Sequence, residues 1–114
     1  MKIKLKKKFR KYKVGNITIN DCGNIFLKNN EQLTFIHNKK QEYDVCKKPW
    51  GFYATPSINY RLKKNNFSTF IIINKEKRFG IHIVDNKKKK YHKKYLKSQS
   101  LKIIRWPKNL KQYL

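Results

Sequence analysis

A chain of 114 residues with 39% apolar and 14% aromatic content fits one domain with one compact core, which argues against a long disordered array. Its 30 Lys and Arg against 6 Asp and Glu leave a formal charge of +24, an excess that calls for an anionic partner, nucleic acid first. No apolar run approaches the roughly 18 to 20 residues of a membrane span, and the Lys-rich start lacks the apolar stretch of a secretory signal, so the expected location is the cytoplasm or an organelle matrix.

In chain order, Met1 to Lys13 alternates apolar and charged residues briefly and then loses its period, which fits a short edge strand or an extended basic arm. Val14 to Asn20 and Asn24 to Lys28 are β-rich runs either side of Asp21-Cys22-Gly23, and read as a hairpin turning there. Gln32 to His37 and Glu42 to Lys47 flank Asn38 to Gln41 as a second hairpin. Thr55 is placed to cap a helix with Pro56 in its first position, running from Ser57 to Asn66 with Ile58 and Leu62 on one face and Asn65-Asn66 at its end. Ser68 to Ile73 and Arg78 to Val84 make a third hairpin about Asn74 to Lys77, and the unbroken apolar run of the first predicts a central strand. Asp85 caps a second helix over Asn86 to Ser98, striped by Tyr91, Tyr95 and Leu96. Leu101 to Trp106 then closes as a strand before Pro107. The order ββββαββαβ predicts an α+β fold with a mainly antiparallel sheet and two short helices. A basic arm over residues 1–13, a single domain over 14–106 and a short basic tail over 107–114 complete the expected organisation.

The charge is unevenly placed. Twenty-six Lys, 12 Asn, 13 Ile and one Ala match the usage of A- and T-rich coding, but uniform drift of that kind would not empty both ends of acids. Residues 1–13 hold 8 basic groups and no acid, and residues 87–114 hold 11 basic groups and no acid. The middle carries only +5, so the chain reads as an ordinary core with two cationic flanks.

Little asks for catalysis. Cys22 and Cys46 form no CxxC pair, and His37, His82 and His92 stand at no zinc-ligand spacing, so neither metal nor cofactor is expected and the thiols read as free. Glu42 and Asp44 share a strand face, where pairing with Lys39, Lys40 or Lys47 is the simpler role than acid–base work. The four scattered glycines build no phosphate loop.

The densest chemistry lies between Lys47 and Leu62. A helix starting at Pro56 would offer free N–H groups and a positive dipole end to an anion, with Thr55, Ser57, Asn59, Arg61 and Lys48 as its ligands. Trp50, Phe52 and Tyr53 precede it and would stack a base, sugar or other planar group. The competing reading makes Trp50 and Phe52 core anchors and Thr55-Pro56 only a cap.

Asn29 to Phe35, Glu42 to Val45 and above all Trp50-Gly51-Phe52-Tyr53-Ala54-Thr55-Pro56-Ser57-Ile58-Asn59-Tyr60-Arg61-Leu62 resemble a family of small uncharacterised bacterial proteins that tend to accompany surface-polysaccharide and nucleotide-sugar genes. The likeness continues through Ile81 to Val84, Tyr95-Leu96 and Ile103 to Trp106. It implies a sugar-pathway context and assigns no catalytic residue. The chain departs from it at Trp106-Pro107-Lys108, where relatives tend to be acidic, and in its far more basic flanks.

Those flanks carry the leading expectation. Lys4, Lys6, Lys7, Lys8, Arg10 and Lys11 at one end, and Lys87, Lys88, Lys89, Lys90, Lys93 and Lys94 at the other, have the make-up of segments that follow a phosphate backbone without reading sequence. The expected function is non-catalytic binding of RNA or another polyanion, as in a ribosome or similar ribonucleoprotein particle. The rival is an accessory protein or small enzyme of nucleotide-sugar or surface-glycan metabolism, with its site at Trp50 to Arg61. Binding of anionic lipid by the second helix is disfavoured by its thin apolar stripe.

Overall fold

The structure, a computed structural model, describes residues 1–104. It is α+β and mainly antiparallel, as expected, with one strand more than the predicted order. The elements are β1 (Lys2–Val14), β2 (Ile17–Phe26), β3 (Gln32–His37), β4 (Gln41–Lys48), β5 (Gly51–Ala54), α1 (Arg61–Lys64), β6 (Phe67–Ile73), β7 (Phe79–Asp85), α2 (Lys89–Ser98) and β8 (Lys102–Ile104). The strands form a β1-β2 ribbon and two three-stranded sheets, ordered β3-β4-β5 and β7-β6-β8. Two compact units share the described residues: one holds Met1–Phe35 and Asp44–Thr55, the other Ile36–Tyr43 and residues 56–104. The readings placed on Trp106, Pro107 and the tail lie outside the described residues.

In the first unit the opening segment is a long strand. β1 pairs antiparallel with β2 from Lys2↔Phe26 to Val14↔Ile17. The turn therefore falls at Gly15-Asn16, not at the expected Asp21-Cys22-Gly23, and β2 runs straight through that cluster. Gly15 has φ 61° at the first loop position, where a tight two-residue hairpin of the II′ type needs a positive angle. The displaced cluster faces a bulge instead. Between Leu5↔Gly23 and Arg10↔Asp21 the register slips, so that Lys6, Lys7, Lys8 and Phe9 oppose Cys22 alone. The slip explains the lost period. Ile3 and Leu5 share a face with Tyr12 and Val14 only because the bulge reverses the phase of alternation between them.

The fifth strand is a second departure. Trp50 to Ala54 was expected as an approach to a helix, yet Gly51–Ala54 pairs with β4 from Lys48↔Gly51 to Val45↔Ala54 around a Pro49-Trp50 loop. Asp44 and Cys46, alternate residues of β4, point to the buried side. The loop before β3 is tied to the far end of β4: the Asn30 N–H donates to the Lys47 carbonyl at 2.8 Å, and the Lys47 N–H donates to the Glu31 carbonyl at 3.0 Å.

In the second unit β6 is central, flanked antiparallel by β7 and β8, as its apolar run predicted. Leu62, Phe67, Ile72, Val84 and Leu96 form its buried apolar core. The β6-β7 loop is held by Asn74, whose side-chain oxygen accepts from the N–H groups of Glu76 at 3.0 Å and Arg78 at 2.9 Å. The predicted first helix is cut to one turn. Ser57 takes the N–H of Arg61 on its hydroxyl at 3.3 Å and that of Leu62 on its carbonyl at 3.1 Å, an alternative to a regular helical ladder over 57–60. Helix α1 therefore begins at Arg61 and ends, as expected, at Asn65-Asn66, with Asn66 at φ 64°. Asp85 caps the second helix as predicted, accepting the Lys87 N–H at 3.0 Å ahead of one 3-10 turn over Asn86–Lys88.

Candidate polyanion-binding surfaces

The ribbon of the first unit is two-faced. Lys2, Lys4, Lys11 and Lys13 leave β1 on the side shared with Asn20, Asn24 and Phe26 of β2, and the Lys4 ammonium stands 5.8 Å from the centre of the Phe26 ring. The bulge adds Lys7 and Lys8, which with Phe9 and Lys11 line an open depression of about 520 Å³. Not every cation of this segment is available. Lys6 Nζ and Arg10 Nε both approach Asp21 Oδ2 at 3.0 Å, and the Gly23 N–H donates to Oδ1 at 3.3 Å. The hydrogen bonds from Lys6 and Arg10 hold the Asp21 carboxyl down at about 2. Of the six predicted phosphate ligands here, Lys4, Lys7, Lys8 and Lys11 form no ion pair among the described residues.

Helix α2 of the second unit presents the other predicted set. Lys87, Lys88, Lys89, Lys90, Lys93, Lys94 and Lys97 are all exposed, whereas His92, Tyr95 and Leu96 turn inward. None of these seven lysines forms an ion pair among the described residues. Four stand in or just before the first turn, where no acid is present and the positive end of the helix dipole repels them. Lys88 is partly accommodated by the Tyr91 ring, 5.1 Å from its ammonium.

The aromatic group ahead of Thr55 is at the surface. Trp50 is 71% exposed in the β4-β5 loop and Phe52 is 63% exposed, so neither is the core anchor of the competing reading. The Trp50 and Tyr53 rings stack at 6.0 Å and 25°. Phe52 leaves the opposite face of β5 beneath Lys47, whose ammonium is 5.8 Å from the ring centre. Lys48 Nζ reaches the Asn30 side-chain oxygen at 2.7 Å.

The anion site expected at a helix start is not built in that way. With α1 beginning at Arg61, its first N–H groups, those of Arg61 and Leu62, are taken by Ser57, and a helix of one turn offers no dipole end to an anion at Thr55. Thr55 lies in the first unit and donates its hydroxyl to the buried Asp44 carboxylate at 3.1 Å; Ser57, Asn59 and Arg61 lie in the second. Ser57 and Arg61 are brought together through the bond already described.

One association had no signal in the sequence. His82 on β7 and His92 on α2, ten residues apart, meet with Nδ1 and Nε2 at 2.9 Å. The Phe70 ring stacks on His92 at 5.5 Å and 18°, and the Tyr95 ring is 6.1 Å from His82. Burial pushes both imidazoles below their ordinary value, and the neighbouring ring adds to this at His92. Spacing rules find ligands on one element, whereas this pair joins a strand to a helix. Among the described residues no group of three or more His, Cys, Asp or Glu is gathered for a metal ion, and no helix is long and apolar enough to cross a membrane. No family model, curated protein or solved structure matches the chain.

Proposed function

We propose that this chain is a non-catalytic protein that binds RNA or a like polyanion, in the manner of a ribonucleoprotein component, through phosphate contacts. The observation that carries the reading is the run of exposed lysines along α2 with no carboxylate pairing with them among the described residues. Such a face is electrostatically costly on its own, most of all at the positive end of the helix, and a phosphate chain offsets that cost. The β1 lysines offer a second surface of the same chemistry. The exposed Trp50, Phe52 and Tyr53 suit stacking of unpaired bases, which favours single-stranded over duplex segments.

The test is retention of a single-stranded RNA by purified, nuclease-treated protein across a salt series. About six phosphate contacts give a log–log slope near −4. Replacing Lys88, Lys89 and Lys93 with Glu should weaken binding and flatten the slope. Absence of binding at moderate salt, or binding indifferent to salt, overturns the reading.

A second reading takes its support from the Trp50–Tyr53 stack: a sugar or nucleotide-sugar ring packing on Trp50, in the pathway context that the family resemblance implies. Thermal shift with nucleotide sugars separates the two, because this reading expects a rise that Trp50→Ala removes.

A further inference from the structure

We propose that the apolar face of the β1-β2 ribbon is a self-association surface, on which a second copy of this chain packs. This goes beyond RNA binding and does not depend on it. Two-stranded ribbons are marginal in water without a cover for their apolar side, and this one is long with that side exposed among the described residues. At one end its face carries Ile3 and Leu5 with Ile25; at the other it carries Tyr12 and Val14 with Ile19 and Ile17. These seven side chains are 37% to 75% exposed. Covered in both copies, they would bury an area on the order of the 1,200 Å² at which specific interfaces begin. Two exposed apolar clusters on one face of a ribbon call for an occupant.

Three features select a second copy as that occupant. The first is charge. Arg10 and Asp21 are direct cross-strand partners on this face, between the two apolar clusters. A twofold axis running along the ribbon between two stacked faces lays β1 of one copy over β2 of the other. Each Arg10 then faces the other copy's Asp21, so the pair is self-complementary under that symmetry. The second is shape. Leu5, the most exposed of the seven at 75%, is paired with Gly23. The same axis sets each Leu5 over the bare backbone of the other copy's Gly23, a projection over a gap at either side. The third is the placement of the lysines. Lys2, Lys4, Lys11 and Lys13 leave from the opposite face, so they point outward from such a pair instead of opposing one another across it. Aligned stacking of two twisted ribbons has the geometry of an ordinary sheet-on-sheet contact.

The experiment measures molar mass in solution by light scattering and sedimentation for the full, nuclease-treated chain, at high salt and over a range of concentrations. The expected result is a twofold rise above the 13.9 kDa of one chain as concentration increases. Leu5→Asp with Ile19→Asp should return the mass to one chain with an unchanged circular dichroism spectrum, since both side chains are at the surface. A chain that stays single at its highest soluble concentration overturns the proposal, and so does a twofold mass that survives Leu5→Asp with Ile19→Asp. Binding to anionic vesicles by a chain that is single in solution also overturns it if Leu5→Asp with Ile19→Asp abolishes that binding, and would make the face a lipid-docking surface. RNA binding is measured separately, so failure of one proposal leaves the other standing.

Discussion

Gly23 lies so close to Lys4 that a Cβ at position 23 would stand 2.1 Å from the Lys4 carbonyl oxygen. It would also meet the Leu5 Cα at 2.9 Å, and the backbone there has φ +149°, an angle that residues with a side chain rarely adopt. Glycine at this place is what lets β1 pass β2 just before the bulge. Gly23→Ala should therefore cost about 2 kcal/mol or more, concentrated in the ribbon. Amide hydrogen exchange should quicken across β1 and β2 and stay unchanged in β6 and β7.

Asp21 gives the ribbon an acid limit. Its carboxyl is held at about 2 in the folded chain, chiefly by Lys6 and Arg10, against an ordinary value of 3.8. The depressed value means the unfolded form takes the proton first. The stabilisation is complete above about pH 3.8 and is lost as pH falls through about 2. Carboxyl resonances followed by NMR should show Asp21 titrating near 2, and Asp21→Asn should remove that part of the ribbon's acid sensitivity.

The His82–His92 pair gives the second unit a different window. Both rings titrate below 6.5 when folded, so protons favour the unfolded chain. Stability is full above about pH 6.5 and falls as pH drops below it toward the folded values. Thermal midpoints at pH 7.5 and pH 5.5 should differ in that direction. His92→Phe, which keeps a ring against Phe70, should narrow the difference.

Asp85 is 5% exposed and serves several partners: it accepts the Lys87 N–H at 3.0 Å and the Asn38 side-chain amide at 3.1 Å, with His37 Nε2 at 3.4 Å. Asp85→Ala removes the cap of the 3-10 turn that leads into α2 and leaves those donors without it. A loss of about 2 kcal/mol is expected in urea unfolding, at the upper end for a cap, with Asp85→Asn recovering part of it.

Trp50 should behave in the opposite manner. As an exposed loop residue, its replacement by Ala should change stability by no more than about 0.5 kcal/mol, while lowering affinity for single-stranded RNA relative to duplex. A large loss of stability would show that the ring supports the hairpin instead of presenting a surface.

These particulars separate what local pattern governs from what it does not. Gln32 to His37, Phe67 to Ile73 and Phe79 to Asp85 are strands in the structure because their β-branched and aromatic residues and turn residues state the same preference. Asp85 was legible as a cap because its bond to Lys87 spans two residues. The cationic character of Lys87 to Lys94 was equally plain, since a lysine has few ways to be buried.

Amino-acid order alone settled the antiparallel α+β class, the central position of β6, the capped second helix and the exposure of its lysines. The tertiary arrangement decided the rest: the turn at Gly15-Asn16, the bulge that reunites Ile3 and Leu5 with Tyr12 and Val14, the outward aromatics of the β4-β5 hairpin, the single turn of α1 and the meeting of His82 with His92. The reason is range. A cap or a strand preference acts over a few neighbouring residues, whereas register and phase are set by which partner strand a residue meets. Asp21-Cys22-Gly23 has the chemistry of a turn, but opposite Lys6, Arg10 and the Lys4 backbone it becomes the anchor of a bulge.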